Sequence, residues 1–536
     1  MTTKGRAADI LARRLADEGC RFVFGMPGGE VLTLIDALEA AGLRFVLVRH
    51  ENAGGFMAEG AHHRDGAPGV LVATVGPGAL NAVNVVENAR QDRVPLIVLT
   101  GCVDPDTAAR YTHQVLDQRS VFSSVCKASF TLSANAAEVI ADKAVRIATE
   151  GRPGPVHIDV PISVADAVAD AAPQLRRRPA LPMAPAAGPD LDAARNAVRN
   201  ARRPLIVAGL DAVTEGLSLS GIAEALGAPV VTTYKAKGIL PEDHALSLGG
   251  AGLSPKADAI LLPLVAEADV VILAGYDPIE MRSGWQDAFD PETQVVIDIT
   301  HAPNIHYMHQ GSVNVVGGIG RSLPAITEGC IPKLEWGDRI AATRAALEDA
   351  FAPGPDWGPG VVVDTCRRLL PEGTLASADS GAHRILLSQM WKCGELRGLV
   401  QSSGLCTMGC AVPLAMGMAL AEPERTIVSF SGDAGFLMVA GELATAADLG
   451  LRVIFVVFVD RSLALIEMKQ RQRQLRNTGV DFGRTDFAAL GRAMGGEGAT
   501  VTSRAELEAA LEAALAASTF TVIAAEIDRR AYDGRI

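Results

Sequence analysis

The sequence has few cysteines, few aromatic residues and no long uninterrupted apolar segment. Its eight cysteines in 536 residues include no CxxC pair, which excludes a disulfide scaffold and a zinc ribbon. No apolar run approaches the roughly 18 residues of a membrane span, and the first residues lack the apolar core of a secretory signal. We therefore expect a cytoplasmic protein with no membrane partner.

Positive charge is scarce as well. The net charge is −13, and the one basic tract is Arg176-Arg177-Arg178. Nucleic-acid-binding proteins need a basic face, so no nucleic-acid partner is expected. Hydrophobic residues, by contrast, make up 49% of the chain, which is enough to bury large cores and argues against disorder.

Two proline-rich segments, 171–190 and 352–360, divide the sequence into three blocks. Proline lacks a backbone N–H and interrupts regular pairing, so both segments are predicted to be linkers. A chain of this length is also expected to form roughly three domains. The predicted domains are residues 1–170, 190–345 and 360–536.

Each block alternates short β-branched apolar runs with longer amphipathic stretches such as 31–41 and 441–449. The run VIFVVFV is apolar on both faces, which is typical of a parallel strand covered by helices. This alternation predicts an α/β protein with three open parallel-sheet domains. The predicted strands are 44–48, 69–74, 95–100, 155–160, 204–209, 269–275, 294–299, 313–317, 374–378, 425–431, 451–459 and 521–527.

The common ligand-binding and catalytic motifs are missing from these blocks. No GxGxxG follows a first strand, and the sequence has no GxxxxGK[ST], no HExxH and no convincing GxSxG. These absences disfavour dinucleotide, P-loop, zinc-protease and serine-hydrolase functions. Since open parallel sheets bind ligands outside the carboxyl ends of their strands, the loops after the predicted strands hold the candidate residues.

Two aspartates follow neighbouring predicted strands of the last block. Asp433 lies in SGDAG (431–435), directly after RTIVSF, and Asp460 ends the next run. Carboxylates at the ends of two neighbouring strands favour an octahedral divalent cation such as Mg²⁺, which usually keeps phosphate oxygens as further ligands. The pair therefore indicates a diphosphate ligand, with a turn or a helix cap as the alternative for Asp433.

Three further loops carry candidate residues directly after predicted strands. They are RHENAG with Glu51, TVGPG at 74–78 and DSGAH at 379–383. Glu51 either acts in a site or is a helix N-terminal carboxylate favoured by the helix dipole. The small residues and histidine of DSGAH fit a phosphate site or, equally, a turn before a helix.

Ordered segments along nearly the whole chain resemble thiamine-diphosphate-dependent enzymes of the acetolactate synthase and pyruvate oxidase group. FGMPGG, RHENAGGFMAEG and TVGPGALN are similar to FGxPGG, RHExxAxxMAxG and TxGPGxxN of that family, and EGRPGPVHIDVP is similar to the end of its first domain. SGLCTMGCAVPLAMG resembles GxGxMGxxxPxAxG, and SGDAGF…FVD resembles the cofactor motif GDG…N. The resemblance implies a pyrimidine-binding, a central and a diphosphate-binding domain.

The resemblance also implies roles for single residues. Glu51 would hydrogen-bond N1′ of the aminopyrimidine and favour the imino tautomer, whose N4′ removes the thiazolium C2 proton. Met408 would support the bent cofactor, and the main-chain carbonyl of Cys406 would meet its 4′-amino group. The implied ligands of Mg²⁺ are Asp433, Asp460 and the main-chain oxygen of Ser462. The implied cofactor-binding residues are Gly28, Gly76, Pro77, Asn81, Gly381, Ala382, His383, Cys406, Met408, Gly432, Asp433, Ala434 and Gly435.

Two cofactor positions depart from the family pattern. Asp460 stands where the family usually has asparagine, which adds a negative charge next to the diphosphate. Ala434 replaces the middle glycine of GDG, a mild change if the backbone φ angle there is negative.

The implied reaction is that of a carboligase, which decarboxylates pyruvate or a related 2-oxo acid and adds the carbanion to a second carbonyl. Gln114 and His113 are candidate catalytic residues, because Gln114 matches a glutamine of acetolactate synthases and His113 takes an aromatic position. Glu30 and Lys469 also differ from the family, and they would select a polar or anionic acceptor if they reach the pocket. For Lys469, the alternative is an exposed helix face.

Three other functions stay open or are disfavoured. A simple 2-oxo acid decarboxylase, or a carbonyl lyase or acyltransferase on an unusual polar substrate, would use the same site. A binding protein with an inactive cofactor site is disfavoured because Glu51 and Asp433 both remain.

Two further expectations concern flavin and assembly. GYDPIEMRSGW and GVDFGRTDF resemble the flavin-free catabolic acetolactate synthases, so FAD is expected to be absent. Active sites of the family lie between the first domain of one subunit and the last domain of another, which implies a homodimer or homotetramer.

Overall fold

The computed structural model describes residues 4–170, 183–331 and 335–536. These residues form three parallel six-stranded sheets, each surrounded by helices, so the predicted α/β fold is confirmed. Residues 171–182 of the first predicted linker, with Arg176-Arg177-Arg178, lie outside the described residues. Every helix within the described ranges is too short or too polar to cross a lipid bilayer.

The first domain is a parallel sheet closed by a short antiparallel pair. Its strands are β1 (Lys4–Arg6), β2 (Phe22–Gly25), β3 (Arg44–Leu47), β4 (Gly69–Ala73), β5 (Leu96–Cys102), β6 (Ala128–Thr131), β7 (Val156–Pro161) and β8 (Val168–Asp170). Its helices are α1 (Ala7–Asp17), α2 (Leu32–Ala40), α3 (Glu51–Asp65), α4 (Pro77–Asn81), α5 (Val83–Gln91), α6 (Pro105–Ala108), α7 (Gln118–Ser123), α8 (Ala137–Thr149) and α9 (Ile162–Asp166). The antiparallel pair joins β1 to β8, so the two ends of the described segment 4–170 lie side by side.

The central domain has the same layered construction. Its strands are β9 (Pro204–Ala208), β10 (Val230–Thr232), β11 (Ser247–Gly250), β12 (Val270–Ala274), β13 (Val295–Thr300) and β14 (Val313–Val316). Its helices are α10 (Pro189–Asn200), α11 (Leu210–Thr214), α12 (Ser220–Leu226), α13 (Pro255–Glu267), α14 (Ile319–Thr327) and α15 (Arg339–Ala350). Helix α15 continues past residue 345, and an irregular segment, 352–358, then leads to the third domain.

The third domain contains the strands that carry the acidic motifs. Its strands are β15 (Leu375–Ala378), β16 (Leu399–Gln401), β17 (Ile427–Gly432), β18 (Val453–Val459), β19 (Glu497–Val501) and β20 (Thr521–Glu526). Its helices are α16 (Pro359–Leu369), α17 (Ala382–Met390), α18 (Ala411–Ala421), α19 (Asp433–Met438), α20 (Glu442–Asp448), α21 (Ala464–Gln472), α22 (Phe487–Ala493) and α23 (Arg504–Ala516).

The first and third sheets share one strand order, which differs from that of the central sheet. The orders are β3-β2-β4-β5-β7-β6 and β16-β15-β17-β18-β20-β19, against β11-β10-β9-β12-β13-β14 in the centre. In open sheets, ligands bind outside the carboxyl ends of the strands at the point where the strand order reverses. In the first and third sheets that point is followed by the segments FGMPGG, TVGPG, DSGAH and SGDAG.

Helices α3 and α18 pack the first domain against the third. A Cβ atom at Gly60 would lie 2.2 Å from the Leu414 carbonyl oxygen, and one at Gly417 would lie 2.0 Å from the Met57 carbonyl oxygen. The two backbones therefore approach at a distance that only glycine permits. Buried apolar side chains around this contact form one cluster that spans both domains.

All the predicted strands are present, with ends that shift by at most two residues. The stretches 31–41 and 441–449 form α2 and α20, as predicted. The prediction missed short strands, and four of these, β6, β11, β16 and β19, lie at sheet edges.

Candidate active site

The loops after β17 and β18 bring Asp433 and Asp460 to one edge of the third sheet, since these strands are neighbours. Asp433 Oδ1 accepts the N–H of Ala434 at 2.8 Å, and Oδ2 accepts the N–H of Arg461 at 2.7 Å. The carboxylate of Asp433 is therefore fixed against the loop that carries Asp460. Asp460 in turn accepts the N–H of Ser462 at 2.9 Å.

Burial raises the pKa of both carboxyl groups. At Asp460 the nearby charge of Asp433 adds to this effect, and its pKa rises to about 7. A divalent cation between the two groups would remove the electrostatic cost, and an oxygen-only donor set suits Mg²⁺. Among the described residues, no three His, Cys, Asp or Glu side chains form a cluster that could hold a metal ion. Any cation here would need main-chain or ligand oxygens as well.

A cavity opens beside the two aspartates. It is bordered by the segments DSGAH and SGDAG, by the loop before α18 and by the start of α21. Its lining residues are Ser380, Gly381, Ala382, His383, Cys406, Met408, Gly432, Asp433, Ala434, Gly435, Asp460, Ser462, Leu463, Ala464, Leu465, Ile466 and Tyr532. The structure thus brings together the predicted cofactor-binding residues of the third domain and the three predicted metal ligands.

A buried histidine and two glycines shape one wall of this cavity. A Cβ atom added at Gly381 would lie 2.6 Å from His383 Cε1, and one added at Gly432 would lie 3.3 Å from the same carbon. The imidazole ring therefore packs closely against the backbone of both glycines. His383 is 4% exposed, its Nε2 has no hydrogen-bond partner among the described residues, and burial lowers its pKa to about 3. A neutral imidazole with an unpaired nitrogen is suited to a polar ligand in this cavity.

The loop between β16 and α18 carries Met408 and is held by a buried carboxylate. Asp379 accepts the N–H of Gly409 at 2.9 Å and that of Cys410 at 3.2 Å. A Cβ atom at Gly435 would lie 1.9 Å from Asp379 Oδ2, so this glycine leaves the space that the carboxylate occupies. Asp379 therefore links SGDAG to the loop beneath the cavity.

Cys406 adopts a left-handed backbone conformation in the same loop, with φ at +52°. The Arg384 guanidinium donates to its Sγ at 3.0 Å, and Sγ contacts the Ser403 carbonyl oxygen at 3.2 Å. The predicted role of Cys406 involves only its main-chain carbonyl. The structure adds a side-chain contact that holds the loop.

A buried ion network ties this loop to the other two domains. Asp92 accepts the N–H of Ser403 at 3.1 Å and that of Gly404 at 2.9 Å. Lys235 of the central domain lies 2.9 Å from Asp92 and 3.5 Å from Glu59, and all three side chains are buried. Sequence analysis missed these residues, because no local motif marks partners that lie more than a hundred positions apart.

At the edge of the first sheet, Glu51 begins α3 and is 4% exposed. Its Oε2 accepts from Asn81 Nδ2 at 2.9 Å, and a Cβ atom at Gly78 would lie 3.0 Å from its Oε1. Glu442 of the third domain accepts the main-chain N–H of His50, just before Glu51, at 2.9 Å. The Glu51 carboxylate is thus buried and held by Asn81 at the carboxyl edge of the first sheet.

Two more predicted cofactor residues lie in the neighbouring loop. Gly76 has φ at +69°, and Pro77 is the first residue of α4. Gln118, which is 1% exposed, accepts the N–H of Gly76 at 2.9 Å and donates to Asp159 at 2.7 Å. Sequence analysis missed Gln118, which positions this loop.

Gln114 and His113 lie in an exposed loop beside Gly76. Gln114 has φ at +57°, and a Cβ atom added at Gly76 would lie 3.3 Å from the Cβ atom of Gln114.

Glu30 and Gly28 both contact Thr74. The Thr74 hydroxyl donates to the Glu30 carboxylate at 2.7 Å, and a Cβ atom added at Gly28 would lie 2.1 Å from the Thr74 Oγ1 atom. The structure therefore gathers the predicted residues of the first domain at one sheet edge.

Lys469 lies on the exposed side of α21 and does not line the cavity. Glu467, two positions earlier, is buried and pairs with Arg471 at 3.2 Å. Within one chain, Lys469 therefore lies on an exposed helix face and not in the cavity.

The candidate residues form two separate groups within this chain. Among the described residues, the cavity beside Asp433 is lined by side chains of the third domain and the segment after it, whereas Glu51 lies at the edge of the first sheet. The first and third sheets have the same strand order, with Glu51 at the carboxyl edge of the first and Asp433 and Asp460 at that of the third. This is the arrangement expected for the thiamine-diphosphate enzymes that the sequence resembles.

Comparison with known families agrees with this class. Models of the thiamine pyrophosphate enzyme N-terminal TPP binding domain, central domain and C-terminal TPP binding domain match residues 5–121, 191–326 and 379–525. The chain belongs to the thiamine pyrophosphate enzyme family, and it is an enzyme of the acetolactate synthase-like kind.

Similar proteins cover nearly the whole chain. The acetolactate synthase large subunit of Parasynechococcus marenigrum is 33% identical over 98% of this chain and 88% of its own length. The acetolactate synthase of Bacillus subtilis is 28% identical over 98% and 94%. A probable 2-ketoarginine decarboxylase of Pseudomonas aeruginosa is 29% identical over 96% and 93%.

Proposed function

We propose that this chain is a thiamine-diphosphate- and Mg²⁺-dependent carboligase. It decarboxylates pyruvate or a related 2-oxo acid and joins the remaining unit to a second carbonyl. The observation that carries this proposal is the pair of corresponding sheet edges, one with Glu51 and the other with Asp433, Asp460 and His383 around a cavity. Acetolactate synthases among the relatives support the carboligase reaction.

The residues of the third domain fit a metal-bound diphosphate. Asp433, Asp460 and the main-chain oxygen of Ser462 would hold Mg²⁺, because hard oxygen ligands suit it. The unpaired Nε2 of His383 would meet the diphosphate, and Met408 would lie beneath the rest of the cofactor. Bound thiamine diphosphate would supply the electron sink for loss of CO₂ from the 2-oxo acid.

Glu51 would act on the other end of the cofactor. Asn81 holds one carboxylate oxygen, and the space left by the absent side chain of Gly78 keeps the other accessible. A carboxylate fixed in this way can accept a hydrogen bond from the aminopyrimidine and hold a proton at its N1′.

We propose that a second copy of the chain completes each site. Apolar side chains are exposed next to both half-sites, with exposed fractions of 48% at Leu80, 41% at Leu437 and 62% at Met438. Leu80 precedes Asn81, and the other two follow the SGDAG segment on α19. Contact between the first domain of one copy and the third domain of another would cover these side chains, in a homodimer or homotetramer.

We propose that the central domain binds no flavin. The strand order of its sheet reverses between β9 and β12, and there Gly209 N–H donates to the Ala274 carbonyl at 3.0 Å. A Cβ atom at Gly209 would lie 2.5 Å from Tyr276 Cα, and buried Asp211 pairs with Arg152 at 3.0 Å in the same place. These contacts at the point where the strand order reverses support the proposal that no dinucleotide binds there.

The absorption spectrum of the purified protein tests the flavin proposal. A colourless protein without flavin absorption, whose thermal midpoint does not change when FAD is added, is expected. Stoichiometric flavin absorption would contradict it.

A simple 2-oxo acid decarboxylase is the second candidate, which the Pseudomonas aeruginosa relative favours. The two reactions differ in stoichiometry, since a carboligase acting on pyruvate alone consumes two molecules per CO₂ and a decarboxylase consumes one. Pyruvate and other 2-oxo acids should be tested with thiamine diphosphate and Mg²⁺, with and without aldehyde acceptors. Free aldehyde as the sole product from every donor would contradict the carboligase proposal.

A further inference from the structure

Residues 528–536, here called the C-terminal tail, follow β20 and return to the candidate cofactor site. Lys256 Nζ donates to the Gly534 carbonyl oxygen at 3.1 Å, and the Arg535 guanidinium donates to the Ala352 carbonyl oxygen at 2.6 Å. A further ion pair joins the tail to α21. The tail is therefore held by the central domain, by the segment that follows it and by the helix beside the cavity.

Tyr532 carries the tail into the cavity. Its side chain is 3% exposed and lines the same cavity as Asp433 and Asp460. It packs against Ala382 and Ala464, the first residues of α17 and α21. Its hydroxyl makes no hydrogen bond to any residue in the described ranges, so it is available to a polar ligand in the cavity.

Arg529 brings a positive charge to the acidic loop. Its guanidinium donates to Ser462 Oγ at 3.2 Å and pairs with Asp481. Ser462 lies two positions after Asp460 in the same loop. The tail thus places a cation beside the loop that carries the buried Asp460 carboxylate.

We propose that the C-terminal tail is part of the cofactor site. Tyr532 donates a hydrogen bond to the diphosphate group, while Arg529 holds the loop of Ser462 and offsets the negative charge of Asp460. This inference rests on the proposed function, because it takes a diphosphate as the ligand. It adds to that function one binding residue, Tyr532, and one positioning residue, Arg529, from a segment that follows the last strand of the sheet.

Equilibrium binding tests the role of Tyr532. The full-length protein is stripped with EDTA, returned to saturating Mg²⁺ and titrated with thiamine diphosphate by calorimetry. The substitution Tyr532→Phe removes only the hydroxyl, and loss of a hydrogen bond to a charged group should raise Kd about tenfold or more. Tyr307→Phe, at a residue 81% exposed in the central domain, is the control and should leave Kd unchanged.

A second readout separates ligand binding from a structural role. The cofactor-free Tyr532→Phe protein should unfold at the parental temperature, while thiamine diphosphate should raise its midpoint less than that of the parent. A lower midpoint in the cofactor-free state with parental Kd would assign Tyr532 to packing and overturn its proposed role.

A pair of neighbouring arginines tests the charge. Arg529→Gln should weaken thiamine diphosphate binding about two- to fivefold at low salt, since the guanidinium is partly exposed, and Arg530→Gln is the matched control. Equal Kd values for these two variants would overturn the role of Arg529. If the parent itself fails to bind thiamine diphosphate, the proposed function fails and not merely the tail assignment.

Discussion

Glu51 and its hydrogen-bond partner Asn81 offer the most direct test at the residue scale. Glu51→Gln keeps an oxygen that can accept from Asn81 but loses the negative charge, so folding and diphosphate binding should persist. Turnover should fall by roughly 100-fold or more, since a positioned acid–base group contributes about that much. Steady-state kinetics check this, with Glu39→Gln on the exposed part of α2 as control. Turnover near the parental value would contradict the assignment.

Asp433 and Asp460 differ in what their removal should do. Asp433→Ala should abolish Mg²⁺-dependent binding of thiamine diphosphate, as EDTA should in the parent, because the carboxylate is a proposed direct ligand. Asp460→Asn should retain binding, since the amide oxygen still ligates and the repulsion between two buried carboxylates disappears. Calorimetric titration with and without Mg²⁺ measures both. Unchanged affinity of Asp433→Ala in the absence of metal would contradict the proposed site.

At the scale of elements, the α3–α18 contact depends on two glycines. Gly60→Ala and Gly417→Ala should each destabilise the protein by about 1–3 kcal/mol, because a methyl group would strike the opposite backbone. Gly221→Ala is the control, since a Cβ atom there meets nothing within 4 Å and alanine suits its helix. Thermal unfolding compares the three variants. If Gly60→Ala and Gly417→Ala unfold at the parental temperature, the two helices can move apart without a loss of stability, which would contradict this prediction.

The loop before α18 depends on the buried network of Lys235. Lys235→Met removes the ammonium that pairs with both Glu59 and Asp92, and the free energy of unfolding should fall by about 3–5 kcal/mol. The exposed Lys143→Met is the control. In the Asp92→Asn background, Lys235→Met should lower the free energy of unfolding by a smaller amount, because Lys235 then has one fewer buried carboxylate to neutralise. A full and additive loss in the double variant would show that the two residues do not act together.

At the scale of the whole molecule, the separation of the two half-sites predicts complementation. If each site takes Glu51 from one copy and Asp433 from another, co-refolding of Glu51→Gln with Asp433→Ala restores one intact site per mixed dimer. Random assortment then gives about a quarter of the parental activity. Each variant refolded alone is the control. No recovery in the mixture would place both groups of one site on the same chain.

Much of this organisation could be predicted from the sequence. The long inner strands were predictable because their runs are apolar on both faces, as in β18. Short edge strands such as β16 and β19 were missed, since they are brief or half-exposed and show no such run. Motifs directly after strands located Asp433 and Glu51, because chain order alone places the end of a strand at the sheet edge.

Residues that act through distant partners could not be predicted. Gln118, Asp92 and Tyr532 gain their roles from contacts made only after the chain folds, and no spacing in the sequence marks them. The environment of Cys406 is a similar case, since Arg384 of α17 contacts its thiol only in the folded domain. Periodicity reports which face of an element is buried but not which polar groups meet there.

The junction at Lys235 has a consequence for how the molecule comes apart. Two domains supply the carboxylates and the loop, and the central domain supplies the cation. Opening of the central domain alone would break both buried ion pairs while the other two domains stay packed, so partly opened forms are costly. The three domains should therefore melt in one cooperative step, with few intermediates exposed to proteases, and the chain should persist intact until it unfolds completely.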